Sequence, residues 1–366
     1  MAVLGGGQLG RMLGLAGIPL GIGFRFLDPS PDASAQALGP LVVGPLGDET
    51  ALAEVSRGAD VVTYEWEGVP AGAARFLGAR GLPVLPPAEA LEVAQDRLAE
   101  KTLFRRLGIA VPEFAAVDDL GGLWSTIADT GLPAVLKTRW GGYDGKGQAV
   151  LREPGDVEPA WRALCDRAPL LVESLVGFER ELSILAARGR DGRCVSWPLV
   201  ENVHRGGILR TSRAPAPGVT PELQALAEDY GARLLRELGY VGVLALELFE
   251  TGGALVANEL APRVHNSGHW TIEGAATSQF ENHLRAVVGW PLGPTDAVGA
   301  AAMVNCVGAL PDPAVVLAVD GAHLHRYGKS LRRGRKVGHV TVVTPDDAEL
   351  DARLAALREV LPPDDG

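Results

Sequence analysis

The segment from Leu244 to Trp270, LALELFETGGALVANELAPRVHNSGHW, constrains this chain more than any other stretch. An apolar run from Val243 to Phe249 meets Thr251-Gly252-Gly253, and a second run from Ala254 to Leu260 returns, which is the pattern of a β-hairpin. Each run carries one carboxylate, Glu247 and Glu259, and Asn258 sits beside the second. A charge inside an apolar strand is costly to bury unless it is paired or bound to a cation. Two carboxylates on adjacent strands repel unless something positive lies between them. Mg2+ is the natural candidate, because it takes oxygen ligands and joins one or two carboxylates to substrate phosphates. The loop that follows, Ala261 to His269, is dense in anion-binding and proton-carrying side chains and starts where the metal would sit. The plain alternative is a strand pair whose acidic residues face solvent.

At 366 residues the chain is too long for one simple core, and two or three domains are expected. The net charge of −11 argues against nucleic acid or an anionic membrane as the main partner. Local basic clusters stand out against that background. Cys165, Cys194 and Cys306 are far apart with no CxxC pair, which points to a reducing cytoplasm and to neither a disulfide framework nor a zinc site. The N-terminal stretch has Arg11 in its middle and no basic n-region, so it does not read as a signal peptide. No apolar stretch is long enough for a membrane span. The expectation is a soluble, cytoplasmic protein.

The first unit reads as Rossmann-like. A short strand at residues 2–4 leads to Gly5-Gly6-Gly7-Gln8-Leu9-Gly10 and a helical pattern, then to strands at Gly23–Leu27, Leu41–Val43 and Val61–Tyr64. Met1 lies almost on the first strand, a shorter lead-in than such units usually have. Gly5, Gly7 and Gly10 fit GxGxxG, with Asp28 beyond them, so an NAD-dependent dehydrogenase is one reading. The other is a glycine turn that packs its helix or seats a phosphate. Glu65 and Glu67 close the Tyr64 strand at the edge where ligands sit in open α/β sheets.

Gln95 to Leu107 predicts one helix, with an apolar stripe and interleaved basic residues of the kind that usually face water. A strand then ends in Lys137, followed by the loop Gly141-Gly142-Tyr143-Asp144-Gly145-Lys146-Gly147-Gln148 and a return strand. This is a flap over phosphates: glycine lets backbone N–H groups approach oxyanions, and Lys137 supplies a point charge. It is not a Walker A loop, since no GK[ST] helix start follows. Further on come a strand through Glu173 to Val176, an alternating strand from Glu181, a stretch from Val200 to Ser212 with His204 among basic residues, and a helix from Pro221 to Leu238. The last segment reads as short strands around Lys329-Ser330-Leu331-Arg332-Arg333-Gly334-Arg335-Lys336. Five cations in eight residues suggest a small phosphate ligand, against a solvated charge run or a nucleic-acid patch.

In this order, GGGQLGRML, QDRLAEKTLF, GGYDGKGQ, GGILRTS, NELAPRVHNSGHWT and GRKVGH resemble the ATP-grasp superfamily. Most closely they are similar to its N5-carboxyaminoimidazole ribonucleotide synthase family, over nearly the whole chain. The resemblance implies an α/β and α+β architecture: an ATP-grasp fold with a Rossmann-like N-terminal domain and a small, mostly-β C-terminal domain. The expected boundaries are 1–94, 95–291 with a flap subdomain about 110–175, and 292–366.

It also implies a ligase that uses ATP, Mg2+ and bicarbonate to carboxylate 5-aminoimidazole ribonucleotide through carboxyphosphate, and commonly a homodimer. By the same resemblance, ATP falls to Arg97, Lys137, Gly142, Tyr143, Asp144, Gly145, Lys146, Gly147 and Gln148 for the phosphates. Glu173, Ser174, Leu175 and Val176 would meet the adenine, Glu181 the ribose, and His204 a nucleotide contact. Glu247 and Glu259 would bind the metal, with Asn258 beside them. The ribotide would meet Gln8, Leu9, Glu65, Tyr143, Asp144, Arg263, His265, Asn266 and Ser267. Its phosphate would lie on Lys329, Arg335 and Lys336, with Arg332 a helper. Asp144, Arg263, His265 and Lys336 are the expected catalytic groups. The other readings are a formate-dependent glycinamide ribotide transformylase, the dehydrogenase, and a non-catalytic nucleotide sensor.

Overall fold

Short apolar runs near the N-terminus pair as a parallel sheet. Strands β1 (Ala2–Leu4), β2 (Arg25–Asp28), β3 (Leu41–Val43) and β4 (Val62–Tyr64) stand in the order β3-β2-β1-β4. The order reverses beside β1, so the ends of β1 and β4 form the crevice that such sheets offer to ligands. The computed structural model describes residues 1–141, 147–167 and 169–362.

A second, antiparallel sheet is built from β5 (Phe114–Val117), β6 (Ala134–Thr138), β7 (Gln148–Leu151) and β8 (Leu170–Ser174), in the order β5-β8-β6-β7. The helices Leu120–Thr130 and Val157–Leu164 cover it through Leu123, Ile127, Val157 and Leu164. The flap residues lie between β6 and β7.

The largest sheet has nine strands: β9 (Arg180–Arg188), β10 (Cys194–Ser196), β11 (Val200–Arg205), β12 (Ile208–Ala214), β13 (Gly242–Thr251), β14 (Ala254–Ala261), β15 (Ala300–Val307), β16 (Ala322–Arg326) and β17 (Lys336–Thr344). Its order is β14-β13-β9-β11-β12-β15-β17-β16, with β10 paired to β9. The C-terminal strands therefore extend the central sheet. Period-two alternation sorts its core. Leu185, Ala187, Val243 and Ala245 join Trp197, Trp270, Met303 and the first domain's Leu13 and Phe26 on one side. Ile184, Ala186, Leu244 and Leu246 join Leu234 and Leu235 of the helix Pro221–Glu237 on the other.

The helix expected from Gln95 to Leu107 forms, with its start shifted to Arg97. One helix ends at Gln95 and the next runs Arg97–Arg106, with Asp96 extended between them. The reason is local. Asp96 Oδ1 accepts from Leu98 N at 2.9 Å as an N-cap, and the same oxygen takes Arg139 Nε at 3.0 Å. Nor are the basic residues of this helix all solvated, because Lys101 is buried.

Candidate active site

The hairpin forms as expected and carries a β-bulge at its acidic centre. Leu246 pairs with Leu260 and Leu248 with Ala257, so Asn258 and Glu259 together stand opposite Glu247. A bulge of this kind re-aims side chains and is common beside active sites. Asn258 Nδ2 lies 3.5 Å from Glu247 Oε2. Burial, then the neighbouring Glu259 carboxylate, pushes Glu247 up to about 7. Glu100, from the helix behind, is pushed up to about 8 by burial and by Glu259, and its Oε1 accepts from Leu260 N at 2.6 Å. Among the described residues no three His, Cys, Asp or Glu side chains are grouped to hold a metal unaided. The half-buried Glu247 and the exposed Glu259 beside it repel each other and nevertheless fit Mg2+, which draws its remaining ligands from phosphates and water.

On the nucleotide side, Lys137 of β6 makes an ion pair with Glu173 of β8. Glu173 is held below the usual carboxylate range: burial opposes this, but Lys137 and then Lys101 outweigh it. Arg97 Nη1 donates to Thr138 O at 2.8 Å, tying the helix start to the end of β6. Gly147 has φ +72°, and a Cβ there would stand 2.6 Å from Thr138 Oγ1, so only glycine suits the point where the flap rejoins β7. Gln148 pairs with Lys137 across the ladder. Gly142, Tyr143, Asp144, Gly145 and Lys146 lie outside the described residues. The amides of Ser174 and Leu175 donate to Glu113 O and Pro133 O, and Val176 is half-buried in the segment after β8. Glu181 of β9 pairs with His204 of β11. Burial works against the charged imidazole of His204, yet Glu181 and Glu247 raise it above its ordinary value.

The acceptor loop joins this region directly. His265 Nε2 stands 3.4 Å from Glu247 Oε1. Its Nδ1 faces Ser267 Oγ at 2.8 Å and accepts from Ser267 N at 3.3 Å. Behind it runs a buried chain: Ser212 Oγ donates to Asn202 Oδ1 at 2.7 Å, Asn202 Nδ2 to Ser183 Oγ at 2.9 Å, and Ser183 Oγ to Ser267 Oγ at 2.8 Å. Each oxygen is committed by the one before it, so Nδ1 is the acceptor and Nε2–H points at Glu247. Gln279 fixes the loop backbone, accepting from His265 N at 2.8 Å and donating to His265 O at 2.6 Å. Burial, then Arg263 and Lys336, keeps His265 neutral, well below its ordinary value. Asn266 exchanges two amide hydrogen bonds with Asn305 of β15, at 3.2 and 2.7 Å.

Arg263 pairs with Glu67 of the first domain, which lowers the Glu67 pKa despite burial. Lys336 lies close enough for its charge to act on Glu67, His204, Glu247 and His265. Lys329 Nζ donates to Gln8 Oε1 at 2.6 Å, while Leu9 is buried behind the same turn. Arg335 Nη1 donates to Ser330 Oγ at 2.7 Å, and Arg332 is exposed.

Glu65 is turned to the first glycine loop. Its two oxygens accept from the amides of Gly7 and Gly10. A Cβ at Gly5 or Gly7 would strike the Glu65 side chain. This removes the dehydrogenase reading: the amides that a dinucleotide pyrophosphate would need are occupied by the protein's own carboxylate.

Reading the sequence missed Glu100, Lys101, Ser183, Asn202 and Asn305. The signal for the strand residues was available: Ser183 interrupts the apolar run ELSILA and Asn305 interrupts AAMVNCV. A buried polar group inside a sheet must find a partner.

Residues 102–280 match the ATP-grasp domain, residues 1–95 the ribonucleotide synthetase preATP-grasp domain, and residues 301–353 the phosphoribosylaminoimidazole carboxylase C-terminal domain. The chain is 53% identical over 361 residues, 99% of both proteins, to N5-carboxyaminoimidazole ribonucleotide synthase of Pseudomonas aeruginosa. It superposes on the crystal structure of N5-carboxyaminoimidazole ribonucleotide synthetase from Thermus thermophilus with a TM-score of 0.95 and 56% identity, covering 99% of this chain and 98% of that one. The Aspergillus clavatus enzyme in complex with ADP and 5-aminoimidazole ribonucleotide is 29% identical, with a TM-score of 0.91, over 98% of this chain and 97% of that one.

Proposed function

The chain belongs to the N5-carboxyaminoimidazole ribonucleotide synthase family of ATP-grasp ligases, and from that premise we propose how its residues divide the reaction. The enzyme carboxylates 5-aminoimidazole ribonucleotide in an ATP-dependent step of purine biosynthesis.

Arg97, Lys137 and the flap from Gly142 to Gln148 hold the ATP phosphates. Glu173 to Val176 form the adenine side, and Glu181 and His204 meet the ribose side. Glu247 and Glu259 hold Mg2+, which when bound would neutralise charge on the transferring phosphoryl group. Bicarbonate, a poor electrophile, is activated by attack of its oxygen on the γ-phosphorus, giving carboxyphosphate and ADP. Collapse of carboxyphosphate releases CO2 and phosphate in a site from which the flap excludes water. The exocyclic amine then adds to CO2. The departing phosphate, most basic at the moment of release, takes the amine proton. His265 serves instead as a fixed N–H donor beside Glu247, because its Nδ1 lone pair is committed to Ser267.

Arg263, Asn266 and Ser267, with Tyr143 and Asp144, line the ribotide. Lys329, Arg335 and Lys336 take its phosphate, with Arg332 at the rim and Gln8 and Leu9 at the facing turn. The observation that carries this reading is the 3.4 Å approach of His265 to Glu247, which joins the acceptor loop to the metal hairpin. A cytoplasmic homodimer completes the proposal. The three free cysteines fit a reducing compartment, and no helix among the described residues is long and apolar enough to cross a membrane.

The test is ADP release from Mg-ATP with the ribotide and labelled bicarbonate added singly and together. ADP release that needs the ribotide, with a new carbamate signal in carbon NMR, is expected. Turnover indifferent to the ribotide would refute the acceptor assignment while sparing the nucleotide one.

A further inference from the structure

Lys101 has no task in the reaction above, yet it is 1% exposed. Its Nζ lies 3.1 Å from Glu173 Oε2 and donates to Ala257 O at 3.4 Å. The other oxygen of Glu173 pairs with Lys137. One carboxylate therefore serves two lysines. Desolvating a lysine is costly, and Lys137 alone would already neutralise Glu173. The helix carrying Lys101 packs through Leu103 and Phe104, so an apolar residue would suit the position better by packing alone.

The two lysines differ in access. The Lys137 side chain is 13% exposed and that of Lys101 is 2% exposed. Lys137 can turn towards a phosphate, whereas Lys101 is fixed between β8 and β14. If Lys137 left a Glu173 that had no other partner, a buried carboxylate would stand uncompensated, and ATP binding would bear that penalty.

We propose that Lys101 is a positioning residue for ATP: it keeps Glu173 neutralised, so that Lys137 can pass from Glu173 to the nucleotide phosphates. This rests on the phosphate role given to Lys137 above. In the resting protein Glu173 holds both lysines; with nucleotide bound it holds Lys101 only.

Steady-state kinetics on the full chain test it, with K101M, K101R and K137M compared. In K101M, Lys137 stays locked on Glu173, so KM for ATP should rise about tenfold while kcat at saturating ATP stays within about threefold. K101R keeps a cation beside Glu173 and should hold KM for ATP within about threefold of wild type. A residue that merely supports the fold would reduce kcat and thermal stability together, and retaining the charge would not rescue KM. An unchanged KM in K101M, or a K101R no better than K101M, overturns the proposal. Should K101M fail to fold, K101Q takes its place: a KM about tenfold above that of K101R supports the proposal, and an equal KM overturns it. K137M with an unaltered KM for ATP would overturn the phosphate role of Lys137 itself, and the proposal with it.

Discussion

Ser183 Oγ donates to Ser267 Oγ at 2.8 Å, across 84 positions of sequence, and both side chains are fully buried. The contact joins β9 of the central sheet to the acceptor loop and sets the direction of every hydrogen bond from Ser212 to His265. Ser183→Ala removes the nearer acceptor of Asn202 Nδ2, leaving Val200 O at 3.5 Å, and frees the Ser267 hydroxyl to turn. The His265 tautomer is then held by the Ser267 amide alone, without the hydroxyl. The expected result is a loss of about tenfold in kcat/KM for the ribotide, with KM for ATP unchanged. Equal losses for both substrates would mean that the chain supports the fold rather than the acceptor loop.

Glu259→Gln removes one of the two carboxylates that converge at the bulge. The amide is the same size and relieves the repulsion that raises Glu247, so the fold should survive. ATP turnover should fall by at least about a thousandfold. Ribotide affinity, measured by calorimetry without nucleotide, should stay within about threefold. Turnover retained within a few-fold would show that the hairpin does not hold the metal.

Asn305 reaches from β15 to clamp Asn266 by two amide hydrogen bonds, and its Nδ2 also donates to Leu209 O at 2.9 Å. Asn305→Leu is close in volume but leaves the Asn266 amide unsatisfied. KM for the ribotide should rise about tenfold, and protein stability should drop by about 1–3 kcal/mol. A stability loss with an unaltered ribotide KM would separate Asn266 from the acceptor site.

Much of this was legible from pattern. The hairpin, the Rossmann-like start and the strands around the basic loop follow from alternating apolar runs and glycine turns, and all of them form. What escaped was non-local. Asp96 moves the start of the expected helix from Gln95 to Arg97, because its oxygens meet Leu98 N and Arg139, and only the fold brings Arg139 there. Lys101 occupies a helical face that reads as solvated, since its partner Glu173 is far along the chain. Glu65 reads as a ligand group at the sheet edge, and nothing local foretold that its oxygens take the amides of Gly7 and Gly10. In each case the side chain's chemistry was readable and its partner was not.

His283 supplies a test of how the first domain is docked. Its Nε2 lies 2.8 Å from Thr63 Oγ1 of β4, and its Nδ1 accepts from Val243 N of β13 at 3.1 Å. Both contacts are made by a neutral imidazole with its proton on Nε2. Burial depresses the pKa to about 4. Above pH 6.5 the folded and unfolded chains are both neutral at this residue, and its titration contributes no slope. Between pH 6.5 and 4 the unfolded chain takes up a proton that the folded chain refuses, so stability falls as pH falls. The loss approaches about 1.4 kcal/mol per pH unit and about 3 kcal/mol across the window. His283→Gln cannot take that proton. The variant should be less stable than wild type at pH 7.5, and the gap between them in urea unfolding should narrow steadily from pH 6.5 to 4.5. A gap that stays constant over that range would show that another group carries the acid sensitivity and that the imidazole is solvated when the domains are docked.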